Sequence, residues 1–238
     1  MLSRFTVDIG VSPVWSADGS RIVFSSNRKG AFDLYQKSAS GTGSEDLLVA
    51  TTQAKVTADW SADGRFLLYR SADPKTGYDI WALPMDGGRT PFPVVQTTFE
   101  ERDGQFSPDG KWIAYQSNES GRMEIYVQPF PGPGGKSQIS TNGGAQVRWR
   151  HDSKELFYIG LDGRLMAVPI QLASNGQAVE AGAPVPLFAT RVGGAVQGFN
   201  RQQYMVSPDG QRFLMNTVMD EATSPITVIL NWTAGLKK

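Results

Sequence analysis

Phe106-Ser107-Pro108-Asp109-Gly110-Lys111-Trp112-Ile113-Ala114-Tyr115 joins two short apolar segments across a polar turn, and its pattern occurs five times in the 238 residues. Asp-Gly or its counterpart stands at Asp18-Gly19, Asp63-Gly64, Asp109-Gly110, Asp152-Ser153 and Asp209-Gly210, at intervals of 45, 46, 43 and 57 residues. A fixed period of roughly 40–50 residues marks one supersecondary unit repeated along the chain.

Before each turn a large residue closes a short strand: Trp15, Trp60, Phe106 and Trp149, with Val206 in the weakest copy. After each turn an apolar run follows: Ile22-Val23-Phe24, Leu67-Leu68-Tyr69, Ile113-Ala114-Tyr115, Leu156-Phe157-Tyr158 and Phe213-Leu214-Met215. Two such runs around Asp-Gly form a hairpin signal. A third strand reads acid, apolar, aromatic in Asp33-Leu34-Tyr35, Asp79-Ile80-Trp81 and Glu124-Ile125-Tyr126, and more loosely at Arg164-Leu165-Met166 and Thr227-Val228-Ile229. A fourth, often proline-bearing strand falls at Asp46 to Val49, Pro93 to Val95, Ser137 to Ile139 and Val185 to Phe188, and proline is tolerated on sheet edges.

The runs after the turns are apolar at successive positions, so both faces of these strands must be covered. Sheets stacked around an axis meet that demand. We read an all-β chain, a five-bladed β-propeller of four-stranded antiparallel blades, as one domain over residues 1–238. Its units run roughly over residues 11–52, 53–99, 100–141, 142–190 and 191–232. The last unit lacks a fourth strand of its own, and residues 2–8 have strand character, so the amino-terminal strand is expected to complete the last blade and close the ring. A closed ring has no long open edge, which predicts a monomer. The stretch from Gln171 to Pro184 reads as a long inter-strand loop, and Pro129 to Gly135 as a second mobile segment.

Composition narrows the function. Lys+Arg and Asp+Glu both number 23, which disfavours nucleic acid as a partner, and cysteine is absent. Without cysteine there is no disulfide scaffold and no thiolate nucleophile. The longest apolar stretches fall far short of the roughly 20 residues that cross a bilayer, so no membrane insertion by this chain is expected.

Trp15 to Phe24 and Phe106 to Tyr115 resemble the TolB-like, WD-repeat-like propeller repeats of bacteria, across nearly the whole chain. Ser207 to Asn216 and Ile226 to Gly235 are similar to the carboxy-terminal propeller of acidobacterial-type serine/threonine protein kinases. That second likeness implies a sensor or docking module on the periplasmic or extracytoplasmic side. No Gly-rich loop with a Val-Ala-Ile-Lys strand, no His-Arg-Asp loop and no Asp-Phe-Gly occurs in this chain.

His151 is the only histidine, and it sits in a hairpin turn beside Asp152 and Ser153. Adjacent residues cannot build the hydrogen-bond relay of a nucleophile and its base, so a solvated turn is the expected role. The repeated aspartates lack the alternating oxygen ligands of a calcium loop, and Asp before Gly forms turns through its own backbone bonding. Asp33, Asp79 and Glu124 are expected to pair with nearby Arg or Lys. Trp15, Trp60, Phe106 and Trp149 share one repeat register, which points to a packed layer rather than a sugar platform.

What varies between copies sits one and three residues before that large residue, on the innermost strand. Strand alternation would put both positions on one side, facing the axis. Thr57, Asp59, Asp103, Gln105, Gln146, Arg148 and Gln203 are therefore the candidate ligand-binding set at the channel, where they either hold a small ligand or peptide end or only bind water. No catalytic residue, metal or cofactor is expected. The chain reads as a non-catalytic module for a protein, peptide or small ligand. The alternatives are a propeller hydrolase or lactonase, and the gating propeller of a prolyl-oligopeptidase-like peptidase whose catalytic domain is elsewhere.

Overall fold

The computed structural model describes residues 5–6, 8–132, 134–173, 178–196 and 202–218, and the backbone of 226–230. Every regular element among them is a β-strand, in two compact units, residues 1–104 and 105–238. In the first unit β1 (Val11–Trp15), β2 (Arg21–Ser26), β3 (Asp33–Ser38) and β4 (Asp46–Val49) form an antiparallel sheet in chain order. β5 (Lys55–Trp60), β6 (Phe66–Asp73), β7 (Gly77–Pro84) and β8 (Phe92–Val95) form the next in the same way.

The chain leaves the first unit within β9 (Glu101–Phe106), which shares a sheet with β10 (Trp112–Ser117), β11 (Glu124–Pro129) and β12 (Ser137–Gln138). In the fourth sheet β13 (Ala145–Trp149), β14 (Glu155–Ile159) and β15 (Arg164–Leu172) run in order, and both β16 (Val179–Ala181) and β17 (Val185–Ala189) pair with the long β15. The fifth sheet has β18 (Tyr204–Val206), β19 (Arg212–Asn216) and β20 (Ile226–Leu230).

The turns explain the repeat. Ser16 Oγ donates to Asp18 Oδ1 at 2.5 Å, and Asp18 Oδ1 accepts the Ser20 N–H at 3.0 Å. The same Asp-to-backbone bond recurs at Asp63–Arg65, Asp109–Lys111, Asp152–Lys154 and Asp209–Gln211, between 3.0 and 3.1 Å. Gly19 closes its turn onto the Ser16 carbonyl at φ 68°, a left-handed backbone that glycine adopts without cost. Ser153 takes that place in the fourth copy at φ 60°. The aspartates are turn formers, as their sequence context implied.

Packing accounts for the unbroken apolar runs. Along β14, Leu156 and Tyr158 join a core with Trp112, Ile125 and Val168, whereas Phe157 and Ile159 join another with Tyr204 and Phe213. Successive residues point to opposite faces, and each face meets a neighbouring sheet. In the first unit Leu67 and Tyr69 of β6 pack with Val23, Leu34 and Trp60. Burying one such side chain contributes about 1.5–3 kcal/mol, and this layer-on-layer contact is the main force on the fold.

Four details differ from the sequence expectation or refine it. Trp15 is 56% exposed, while Trp60 is buried against Val23 and Leu34 of the first sheet. The segment from Gln171 to Pro184 is not wholly a loop: β15 runs on to Leu172 and pairs with β16, with Gln171 opposite Glu180. Phe130, in the segment expected to be mobile, is buried edge-on against Phe106 with centroids 4.9 Å apart. The closing strand expected over residues 2–8 lies largely outside the described residues. Within its own unit Phe5 sets its ring edge-on to Phe24 at 6.3 Å and accepts a bond from Lys37 Nζ at 2.8 Å.

Candidate functional site

The innermost strands do not alternate as simple strands. In β1 the pairing runs from Val11 opposite Ser25 to Val14 opposite Val23, so one extra residue is inserted. The same bulge occurs in β13, between Ala145 and Arg148, and in β5 between Thr57 and Asp59. Ser12, Asp103 and Gln146, all three residues before the large residue, have φ of 51°, 54° and 57°. A bulge breaks the period of two, which removes the reason for placing the two variable positions on one face.

The candidate channel residues are consequently tied into neighbouring sheets. Thr57 is buried, donates its hydroxyl to the Ser12 carbonyl, and gives its N–H to Ser25 Oγ at 3.0 Å. Asp59 is half-buried in the same strand. Asp103 is buried and acts on Arg70: burial pushes that guanidinium below the ordinary arginine value, and the Asp103 charge opposes the shift. Arg70 also lies over the Tyr78 ring at 4.6 Å.

In the second unit Gln146 is the hub. It gives its N–H to Gln116 Oε1 at 3.0 Å and its side-chain amide to the Ala195 carbonyl at 2.7 Å. Its Oε1 accepts the Gln203 N–H at 3.0 Å, its carbonyl accepts the Tyr204 hydroxyl at 2.8 Å, and the Gln203 amide lies 2.7 Å from its Nε2. Arg148 is buried, 5.7 Å over the Tyr204 ring, and donates to the Val147 carbonyl. Gln105 is buried, and its carbonyl accepts the Trp149 indole N–H at 3.3 Å. Thr57 and Gln146 thus bond from one sheet to the next.

The third-strand acids behave unequally. Asp33 Oδ1 receives Lys55 Nζ at 3.1 Å, and Glu124 Oε1 receives Arg122 Nε at 2.8 Å, as expected. Asp79 is different. It is 0% exposed, its Oδ2 accepts Thr76 Oγ1 at 2.7 Å and Gln96 Nε2 at 3.2 Å, and its Oδ1 has no hydrogen-bond partner among the described residues.

Asp79 lines a cleft of about 420 Å³ in the first unit. The floor is one face of the β6–β7 hairpin, where Tyr69 stands opposite Trp81 and Ser71 opposite Asp79. Residues two apart on paired strands share a face, which is how the hairpin groups them. Thr51, Gln53 and Lys55 line another wall. Sequence reading missed this cleft, although one signal was present: the register that places Lys55 beside Asp33 carries Glu101 one repeat later. His151 is exposed in its turn, and among the described residues no three of His, Cys, Asp and Glu group as a cation site.

No family model matches the chain. An uncharacterized protein of Agrobacterium fabrum is 28% identical over 90 residues, 36% of this chain and 28% of that protein. TolB from Acinetobacter baumannii has a similar structure, with TM-score 0.66 and 17% identity over 94% of this chain and 52% of that one. The fold is a TolB-like β-propeller fold. A TolB described as putative, from Agrobacterium tumefaciens, is similar at TM-score 0.59 and 18% identity over 75% of this chain and 66% of that one. Prolyl oligopeptidase B from Galerina marginata is similar at TM-score 0.56 and 13% identity over 91% of this chain and 31% of that one. The chain thus spans about a quarter of its curated relative and half to two thirds of the two TolB structures.

Proposed function

We propose that this TolB-like chain is a non-catalytic binding module for a protein, peptide or small ligand, the sensor or docking part of a bacterial signalling protein. The observation that carries this reading is the cleft at Asp79, a concave site lined by Tyr69, Trp81 and Asp79, one of whose carboxylate oxygens is buried without a hydrogen-bond partner among the described residues. Sites of this kind combine apolar walls with a few convergent polar groups. The polar residues of the inner strands support it from the other side: Gln146 and Thr57 are engaged in holding sheets together.

The shared fold with a prolyl oligopeptidase supports a second reading, a propeller accessory to a catalytic domain elsewhere in a longer protein. Both are tested together by thermal shift against a peptide and amine library, with lactone and peptidyl-ester hydrolysis assayed in parallel. Binding by mass action stabilises the folded chain by RT ln(1 + c/Kd) at ligand concentration c, so the melting temperature rises with the logarithm of ligand concentration above Kd. A shift that disappears in Trp81→Ala, with no turnover above the buffer blank, is the expected result. Turnover by the purified chain, or no ligand at all in the library, overturns the proposal.

A further inference from the structure

We infer that the cleft at Asp79 recognises an alkylammonium group, supplied by a free diamine or by the lysine side chain of a peptide. The inference rests on the binding-module reading and specifies its ligand.

The charge balance points to a cation. A carboxylate that is 0% exposed needs compensation, because an isolated buried charge is costly. Asp33, one repeat earlier, has Lys55, and Glu124, one repeat later, has Arg122. For Asp79 no cation stands within ion-pair distance among the described residues. Lys55 reaches the same cleft, but its ammonium is committed to Asp33 Oδ1 at 3.1 Å and to the Gln53 carbonyl at 2.7 Å. Asp73, at the cleft with its Oδ1 on the Lys75 N–H at 2.8 Å, adds a second negative charge.

Geometry selects among cations. A divalent metal takes several oxygen ligands, and Asp79 offers one free atom. A guanidinium binds a carboxylate through two parallel bonds, and Oδ2 is already taken by Thr76 and Gln96. A primary ammonium needs one strong acceptor and finds further ones in hydroxyls and carbonyls, and Thr51 and Ser71 stand at the cleft. Tyr69 and Trp81 present aromatic surface to its charge and Val49 and Pro91 apolar surface to its stem.

Calorimetric titration of the full chain with 1,5-diaminopentane, with a lysine-bearing peptide, and with the same peptide acetylated at lysine tests the inference. The expected result is binding of at least one amine, at least tenfold weaker for its acetylated or uncharged counterpart. Asp79→Asn, which keeps the shape and removes the charge, is expected to weaken binding by tenfold or more. Preference for the diamine or for the peptide separates the two sources. No amine binding by the folded chain, or equal binding of amine and acetylated form, overturns the inference. Should Asp79→Asn fail to fold, the acetylation comparison decides by itself. A ligand of another class displaced by Trp81→Ala would leave the binding-module reading standing while this inference falls.

Discussion

The side-chain carbonyl of Gln116 accepts the backbone N–H of Gln146 at 3.0 Å, thirty positions along the chain, where a bulge has turned that N–H out of its own ladder. Ser25 does the same for Thr57 at 3.0 Å. The bulge and the acceptor in the preceding sheet form a repeated latch. Gln116→Ala leaves a buried N–H without its acceptor and is expected to cost about 1–3 kcal/mol. A lowered urea midpoint at unchanged slope confirms it, and an unchanged midpoint refutes the latch.

Lys55 and Asp33 form an ion pair with side chains 1% and 7% exposed. Removing one partner strands the other charge, so Lys55→Met should destabilise by about 3–5 kcal/mol, whereas Lys55→Met with Asp33→Leu should recover most of that loss. A double-mutant cycle measures the coupling directly. Additive single effects would show that the pair does not act as a unit.

The Ser16 hydroxyl bond, then the Ser20 N–H, lower the Asp18 carboxyl from 3.8 to about 2. The Ser207 hydroxyl lowers Asp209 in the same way. A carboxyl depressed in the folded state stabilises it at pH above the unfolded value, and that contribution is lost as pH falls through the folded one. For Asp18 the window runs from about pH 4 down to about 2. Melting temperature followed across that window should fall less steeply in Asp18→Asn/Asp209→Asn than in the parent chain. Parallel curves would remove these turns from the acid response.

Ser153 holds φ 60° where the other copies use glycine. Ser153→Gly relieves that backbone and should raise stability by about 0.5–1 kcal/mol after glycine's greater unfolded-state freedom is counted. Gln146→Gly should lower stability, although Gln146 also has positive φ, at 57°, because it removes the bonds to Ala195 and Gln203. Thermal melts of the two variants should move in opposite directions.

The sequence by itself determined the all-β class, the repeat period, the hairpins and the coverage of both strand faces. Each is a local property: Asp18 bonds a backbone N–H two residues away, and Leu156-Phe157-Tyr158 can be satisfied only by cover on two sides. The pairing of Asp33 with Lys55 was legible to the level of chemistry but not of partner. Only the tertiary structure decided where the variable polar residues go. A bulge of one residue in β13 separates Gln146 from Arg148, and one residue is enough to invert a face in a period of two. Tertiary structure also distinguished Asp79 from Asp33 and Glu124. The three share a motif, and what differs is the neighbour each meets: Lys55 from the following strand for Asp33, Arg122 two residues before Glu124, and an open cleft for Asp79.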